Sequence, residues 1–383
     1  MGPAGCFASD KKRKGVILSM YVGERLMLEG NTISEHRHGI SVSVFLALAF
    51  LATATWAVDK RIVVDSAGRR IEVPAKIERV FAAGGPASVF LYTLAPEKLL
   101  GWTSPLTAEE RAYIPAPYAR LPTLGRLTGR GNTTNVEVVL ASRPDVILDY
   151  GTINPTYISL AERIQKQTGV PYLLFDGAFD QIATTYRSAG AALGVSDSAE
   201  QLSRYTERLL ADVDKRLARI PAKSRPLVYY ARGPRGLQTG LKGSINVESI
   251  ERIGARNVAA ERIGQGSLVS VSPEQVLMWN PQIVITIEAA FATVAGSDEI
   301  WKSVIAVRSG HVYTAPTLPF PWLDSPPSVN RLIGLKWLGR VLYPELFTDD
   351  LRAETRTFYG LFYHKVPDEQ QLNELLSGPG RSR

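Results

Sequence analysis

The chain has 383 residues, a net charge of +7, 45% apolar residues and 21% charged residues. That length leaves room for two domains of ordinary size, and the composition is globular rather than disordered. Its cations are scattered among acids, with no long basic run beyond Lys11–Lys14, which argues against a nucleic-acid-binding face.

The first distinctive element is the apolar run Ile40–Leu51, preceded by Arg37 and followed by the small residues of Ala52–Ala57. Twelve residues are too few for a bilayer, which needs about 20. The pattern reads as a secretory signal cleaved after Ala54 or Ala57, with a buried core helix as the alternative. Residues 1–57 are therefore read as a signal peptide with an upstream extension, and Met20 or Met27 is a more natural start. No cysteine stands at the cleavage site, so a lipoprotein anchor is not expected. The single cysteine, Cys6, lies upstream, so the exported chain would carry neither a disulfide nor a thiolate metal site.

Alternating runs on either side of Asp65–Arg70 predict a β-hairpin with a glycine turn. Arg79–Ala83 predicts a strand, Ala87–Leu94 a helix and Leu99–Trp102 a further strand. Val136–Leu148 predicts a short helix, a proline stop and a buried strand. A helix near Ile158–Thr168 and a strand at Tyr172–Phe175 follow. Strands alternating with helices imply a mostly parallel sheet covered on both faces. From 198 to 220, Leu202, Tyr205, Leu209, Val213, Leu217 and Ile220 recur at helical spacing, with charges between them. Ser198 and Gln201 suit a capping box, and Pro221 a stop. Twenty-three residues would make a rod of roughly 34 Å, long enough to join two lobes. Pro226–Ala231 restarts the alternation. The glycine-rich Gly236–Ser244 has the wrong spacing for a phosphate loop and is read as a mobile loop. Residues 311–314 predict a short strand, Arg331–Leu342 a helix and the last residues a frayed tail.

Two stretches repeat each other at an offset of 137 residues: Val136–Leu148 lies on Pro273–Ile285 without a gap. Glu137 falls on Glu274, Leu140 on Leu277 and Pro144 on Pro281. Both helix starts carry capping signals. Glu137 can fill a capping box begun by Thr134, whereas Gln275 fills the one begun by Ser272 and leaves Glu274 spare. Plain capping and an exposed anion for a partner's arginine both remain open at Glu137; the second is better supported at Glu274.

The opening hairpin with Arg79-Val80, the paired motifs at Glu137 and Glu274, the long mid-chain helix and Val307–Tyr313 together resemble the periplasmic substrate-binding proteins of iron-siderophore and cobalamin ABC importers, over residues 60–350. The resemblance implies two mostly parallel-sheet α/β lobes joined by a single long helix. The expected divisions are 58–195 for the first lobe, 196–222 for the connector, 223–376 for the second lobe and 377–383 for the tail. It also implies a monomeric, periplasmic receptor that is not an enzyme. Glu137 and Glu274 would dock on arginines of an inner-membrane permease. The expected ligand is a ferric-siderophore-like metal chelate, with cobalamin, haem, a nickel chelate or a molybdate-type oxyanion as alternatives. A chelatase-like enzyme is a weaker reading, because no P-loop, nucleophile elbow or zincin motif is present.

In two-lobed α/β proteins ligands sit at the carboxyl ends of strands. By that rule, and by their place in irregular connections, the expected ligand-binding residues are Trp102, Arg126, Tyr150, Tyr230, Arg232 and Trp322. Arg130 and Phe320 lie in the same loops. Arginines suit anionic chelates, and aromatics supply flat apolar contact. Core packing is the competing reading for each aromatic, and a solvated charge for each arginine. Pro319–Pro327 holds four prolines and is read as a stiff cleft wall, or as a strap under the last large helix with Trp322 buried. Only His311 and His364 follow the signal region, with no ligand-pair spacing, so no metal cofactor is expected.

Overall fold

A computed structural model describes residues 59–129, 131 and 134–377. The expected signal segment Ile40–Leu51, Cys6, Arg130 and the tail beyond Ser377 lie outside the described residues. The chain from Val58 onward is one compact unit. It opens with β1 (Lys60–Val64) and β2 (Arg70–Pro74), paired antiparallel from Lys60↔Pro74 to Val64↔Arg70. The Asp65 carboxylate ties the turn, accepting from the N–H groups of Ala67 and Arg69 at 3.0 Å each. It also accepts from Leu174 N at 3.2 Å and so anchors the hairpin to the first lobe.

The first sheet is parallel, in the order β3 (Val80–Ala82), β4 (Val146–Gly151), β5 (Tyr172–Asp176). Its strands are buried almost end to end, as a sheet covered on both faces requires. The strand expected at Leu99–Trp102 does not form. Leu99 bridges Val80, but Trp102 bridges Thr123, so the segment changes partner midway. Gly101 permits the crossing: a Cβ there would stand 2.5 Å from the Pro122 carbonyl oxygen.

The second sheet is also parallel, in the order β11 (Val312–Thr314), β10 (Ile283–Thr286), β6 (Leu227–Ala231), β8 (Arg256–Asn257). Beside it β7 (Gln238–Gly240) pairs antiparallel with β9 (Leu268–Ser270). Gly236–Ser244 is therefore partly a strand, not the loop that its glycines suggest. Tyr229 Oη donates to the Gly236 carbonyl at 2.9 Å and holds its entry.

The connecting helix spans Ser196–Leu217, 22 residues and about 33 Å. Leu202, Tyr205, Leu209, Val213 and Leu217 are buried, matching the expected apolar stripe. The expected capping box at Ser198 is absent, because the helix starts two residues earlier after Val195 without a side-chain cap. Close packing sets that start: a Cβ on Gly190 of the preceding helix would fall 2.2 Å from Ala199 Cβ. The helix ends at Leu217, before Pro221, which leads into a short 3-10 turn instead.

Three helices close the chain: Arg331–Leu342, Leu351–Phe362 and Glu369–Leu376. Chain order places them with the second lobe, yet they also complete the core of the first. Tyr92 Oη donates to the Tyr363 carbonyl, Tyr113 Oη to Gln371 O at 3.2 Å and Lys365 Nζ to Ala112 O at 2.6 Å. One aromatic cluster runs through Tyr92, Trp102, Phe320 and Tyr363.

Candidate ligand cleft and docking surface

A cleft of about 1060 Å³ opens between loops at the carboxyl ends of the strands. One wall carries Trp102, Arg126, Thr128, Asp149, Tyr150 and Arg163. The other carries Arg232, Asn246, Phe320, Asp324 and prolines 319, 321, 326 and 327. Four of the six expected ligand residues, Trp102, Arg126, Tyr150 and Arg232, thus line one space. Tyr230 and Trp322 do not line it. Tyr230, inside β6, is 1% exposed and packs in the core. Trp322 is fully buried and donates from Nε1 to Tyr359 Oη at 3.0 Å. The closing helix lies so near that a Cβ on Gly334 would meet the Trp322 carbonyl oxygen at 2.0 Å. Pro319–Pro327 is therefore wall and strap together, with Phe320 and Asp324 facing the cleft and Trp322 held beneath the helix.

The arginines are largely committed within the protein. Arg232 Nε lies 2.5 Å from Asp324 Oδ2, and its Nη1 donates to Gln238 Oε1 at 2.9 Å. Asp324 is fully buried and also accepts from Asn246 Nδ2 and Ser325 N, both at 2.7 Å. Burial raises its pKa, and the Arg232 charge opposes the rise. Arg126 donates from Nε to Gly131 O at 3.0 Å. Among the described residues, three arginines (126, 163, 232) line the cleft against three acids, Glu110, Asp149 and Asp324. The formal charges cancel.

The aromatic floor is fixed by stacking and by its polar ends. Trp102 Nε1 donates to Tyr118 O at 2.9 Å. The Tyr150 ring stacks on Phe90 at 4.5 Å between centroids. Next to it Asp149 accepts from Tyr172 Oη at 3.1 Å, Thr128 Oγ1 at 3.3 Å and Tyr150 N at 3.0 Å. Burial pushes the Asp149 carboxyl up to about 6 despite these donors. Asp149 and Asp324 were not among the expected residues. The one signal for Asp149 is an acid interrupting the apolar run of β4, and Asp324 is a lone acid among prolines. No group of three or more His, Cys, Asp or Glu able to hold a metal ion occurs among the described residues. His364 bonds the Tyr92 carbonyl at 3.1 Å, and burial lowers its pKa.

The repeat is reproduced in three dimensions. Its helices are Val136–Ser142 and Pro273–Trp279, leading to β4 and β10. Each ends in a left-handed residue at the same repeat position, Arg143 (φ 46°) and Asn280 (φ 43°). Ser272 and Gln275 form the expected capping box. The first helix is capped differently: Asn135 Oδ1, not Thr134, accepts from Val138 N at 3.1 Å. Val138 then occupies the box position and has no carboxylate to reach back, so Glu137 does not complete a box. Glu137 and Glu274 are both the second residue of their helix, and both are exposed. The Ser272 hydroxyl, then its own backbone N–H, holds the Glu274 carboxyl below the usual range. Leu140 and Leu277, one turn on, are 46% and 42% exposed. Each lobe thus presents an anion beside an apolar side chain.

Comparison with known proteins places this geometry. A family model described as "Periplasmic binding protein" matches residues 98–318. An uncharacterized ABC transporter substrate-binding lipoprotein, YvrC of Bacillus subtilis, is 23% identical over 218 residues, 56% of this chain and 67% of the relative. A cobalamin-binding protein of Halobacterium salinarum is 24% identical over 268 residues, 66% of this chain and 67% of its own. Among solved structures, an ABC transporter solute binding protein from Sulfurospirillum deleyianum superposes with a TM-score of 0.75 at 27% identity. That match covers 83% of this chain and 99% of the other.

Proposed function

Because the chain belongs to the periplasmic binding protein family and is the substrate-binding component of an ABC transporter, we propose that its cargo is a bulky metal chelate with little net charge. The observation that carries this reading is the cleft itself: about 1060 Å³, walled by proline and aromatic side chains, with three arginines offset by three acids. A strongly anionic ligand would need uncompensated cations, since desolvated charge is costly unless paired. A ferric trihydroxamate is neutral, because three hydroxamate anions offset Fe³⁺. It meets the size and charge of the cleft and refines the ferric-siderophore expectation. A corrinoid is the second reading, favoured by the cobalamin-binding relative. On either reading the protein binds and releases its cargo unchanged, as a periplasmic monomer exported by the segment before residue 58. Glu137 and Glu274 would meet cations on the permease.

Trp102, in the cleft wall, makes the test direct. Tryptophan fluorescence is titrated with a ferric trihydroxamate, cyanocobalamin, haemin and molybdate. We expect saturable quenching by the ferric chelate at about one ligand per chain, reduced in amplitude but not in affinity by Trp102→Phe. Tight binding of molybdate or haemin with no response to either neutral chelate would overturn the reading.

A further inference from the structure

Arg331, the first residue of the closing helix Arg331–Leu342, is fully buried. Its Nη1 donates to Glu248 Oε2 at 2.5 Å and to Ile245 O at 3.3 Å. Its Nη2 donates to Gly177 O at 2.5 Å and its Nε to Ser328 O at 3.0 Å. The guanidinium lies over the Phe179 ring, 4.6 Å from the centroid. The other oxygen of Glu248, Oε1, accepts from Phe179 N at 2.9 Å. One guanidinium and one carboxylate thus join the loop after β5, in the first lobe, to the segment 245–248 of the second lobe and to the end of the proline-rich wall.

Each of those attachments leads to the cleft. A Cβ on Gly177 would meet the Tyr150 ring at 2.8 Å, so the Gly177 backbone is the backing of a cleft residue. Ile245 and Asn246 line the cleft, and Asn246 holds Asp324, the partner of Arg232. Ser328 directly follows Pro327, the last proline of the wall. A planar fork with fixed donor directions sets the relative placement of its acceptors in a way that a flexible ammonium cannot. Burial removes competing water, so the fork has no alternative partners.

We propose that Arg331 is a positioning residue: with Glu248 it forms a buried strut that fixes the separation of the two cleft walls before ligand arrives. It touches no ligand itself. It acts through Tyr150, Asn246 and the proline-rich wall, and it makes the cleft preorganised rather than closed by binding. The affinity consequence rests on the cleft being the ligand site; the separation of the walls does not.

The test exploits the absence of cysteine beyond Cys6. On a Cys6→Ser background, spin labels are placed at the exposed positions Glu162→Cys in the first lobe and Arg262→Cys in the second. Pulsed dipolar spectroscopy without ligand then reads the distribution of inter-lobe distances. Replacing the pair by apolar residues, Arg331→Met with Glu248→Leu, removes the strut without leaving one charge buried alone, a change that buried ion pairs often tolerate. We expect a narrow distribution in the parent and about a twofold broader one in the double variant. Affinity for a ferric trihydroxamate should fall about tenfold, chiefly through faster dissociation. Arg331→Lys keeps the charge but loses the fork, and it should broaden the distribution to an intermediate width. A folded double variant with the parental width would overturn the proposal. Where that variant fails to fold, the parental width in Arg331→Lys would do the same. Because the distance measurement contains no ligand, it stands even if the chelate reading fails.

Discussion

At the carboxyl end of β4, Asp149 illustrates how a single residue can be costly and still be retained. It is buried with three hydrogen-bond donors around it, yet desolvation outweighs them and lifts its pKa from 3.8 to about 6. A carboxyl whose folded pKa lies above its ordinary one favours folding at low pH, and this advantage disappears as pH rises from about 4 through about 6. The rise is worth at most about 3 kcal/mol. Asp149→Asn keeps an acceptor for Thr128 and Tyr150 N, and an amide donor can face the Tyr172 hydroxyl oxygen. We expect urea midpoints equal to the parent at pH 4 and higher above pH 6.5, by an amount approaching that figure. Asp324 shifts in the same direction. It contributes to both proteins alike, so the difference between them isolates Asp149; parallel pH profiles would refute the assignment. Tyr150 and Arg232 could be placed near strand ends from sequence because strand-end position is a local property, whereas Trp102 and Arg126 reach the cleft from irregular connections. The burial of Tyr230 and Trp322, and the pairing of Arg232 with Asp324, depend on what packs above them. No local pattern records that.

The repeat helices show which properties of an element are written locally. Helix, proline stop and strand were legible because each has its own signal: period, φ restriction and β-branched run. The caps were legible only where one arrangement fits, as at Ser272 with Gln275. Before Glu137 the run Thr134-Asn135 offers two capping residues, and Asn135 takes the role. At the connecting helix, expected from 196, it is the cap at Ser198 that fails, because the chain packs Gly190 against Ala199 and the helix begins before Ser198. Relieving Glu137 of the box leaves it, like Glu274, an exposed second residue of its helix, one on each lobe. We expect Glu137→Lys and Glu274→Lys each to leave trihydroxamate affinity and thermal midpoint close to the parent. Uptake in cells carrying the cognate permease should fall about tenfold or more, because charge reversal places like charges in apposition. The double reversal should abolish uptake. Normal uptake by the double variant would remove these residues from the docking role, leaving Leu140 and Leu277 as ordinary exposed side chains.

For the whole molecule, strand–helix alternation announced two α/β lobes, and the long amphipathic stretch announced a connector. What it could not announce is the return of the last three helices to the first lobe, since an apolar helix face does not name its partner. That return means the lobes are joined not by the connecting helix alone but also by the Arg331–Glu248 pair and, thirdly, by the closing helices. The last helix gives the sharpest test of the third tie. Leu372 and Leu375 are 0% and 4% exposed, and Gln371 bonds to both Tyr113 and Ala112 of the first lobe. Ending the chain after Val366 would uncover two leucines, worth about 3–6 kcal/mol at the usual value per buried side chain. It would also leave the half-exposed Arg352 and Arg356 without Glu369, a smaller loss at a screened surface. If the helix belonged energetically to the second lobe alone, hydrogen exchange would rise there and nowhere else. We expect exchange to rise instead in the first lobe, around Tyr113 and Tyr92, with a lower urea midpoint for the whole chain. The closing helices support the floor of the cleft from behind, through Tyr363 against Tyr92 and Phe320, so that loosening should reach Trp102 and weaken ligand binding without removing any cleft residue.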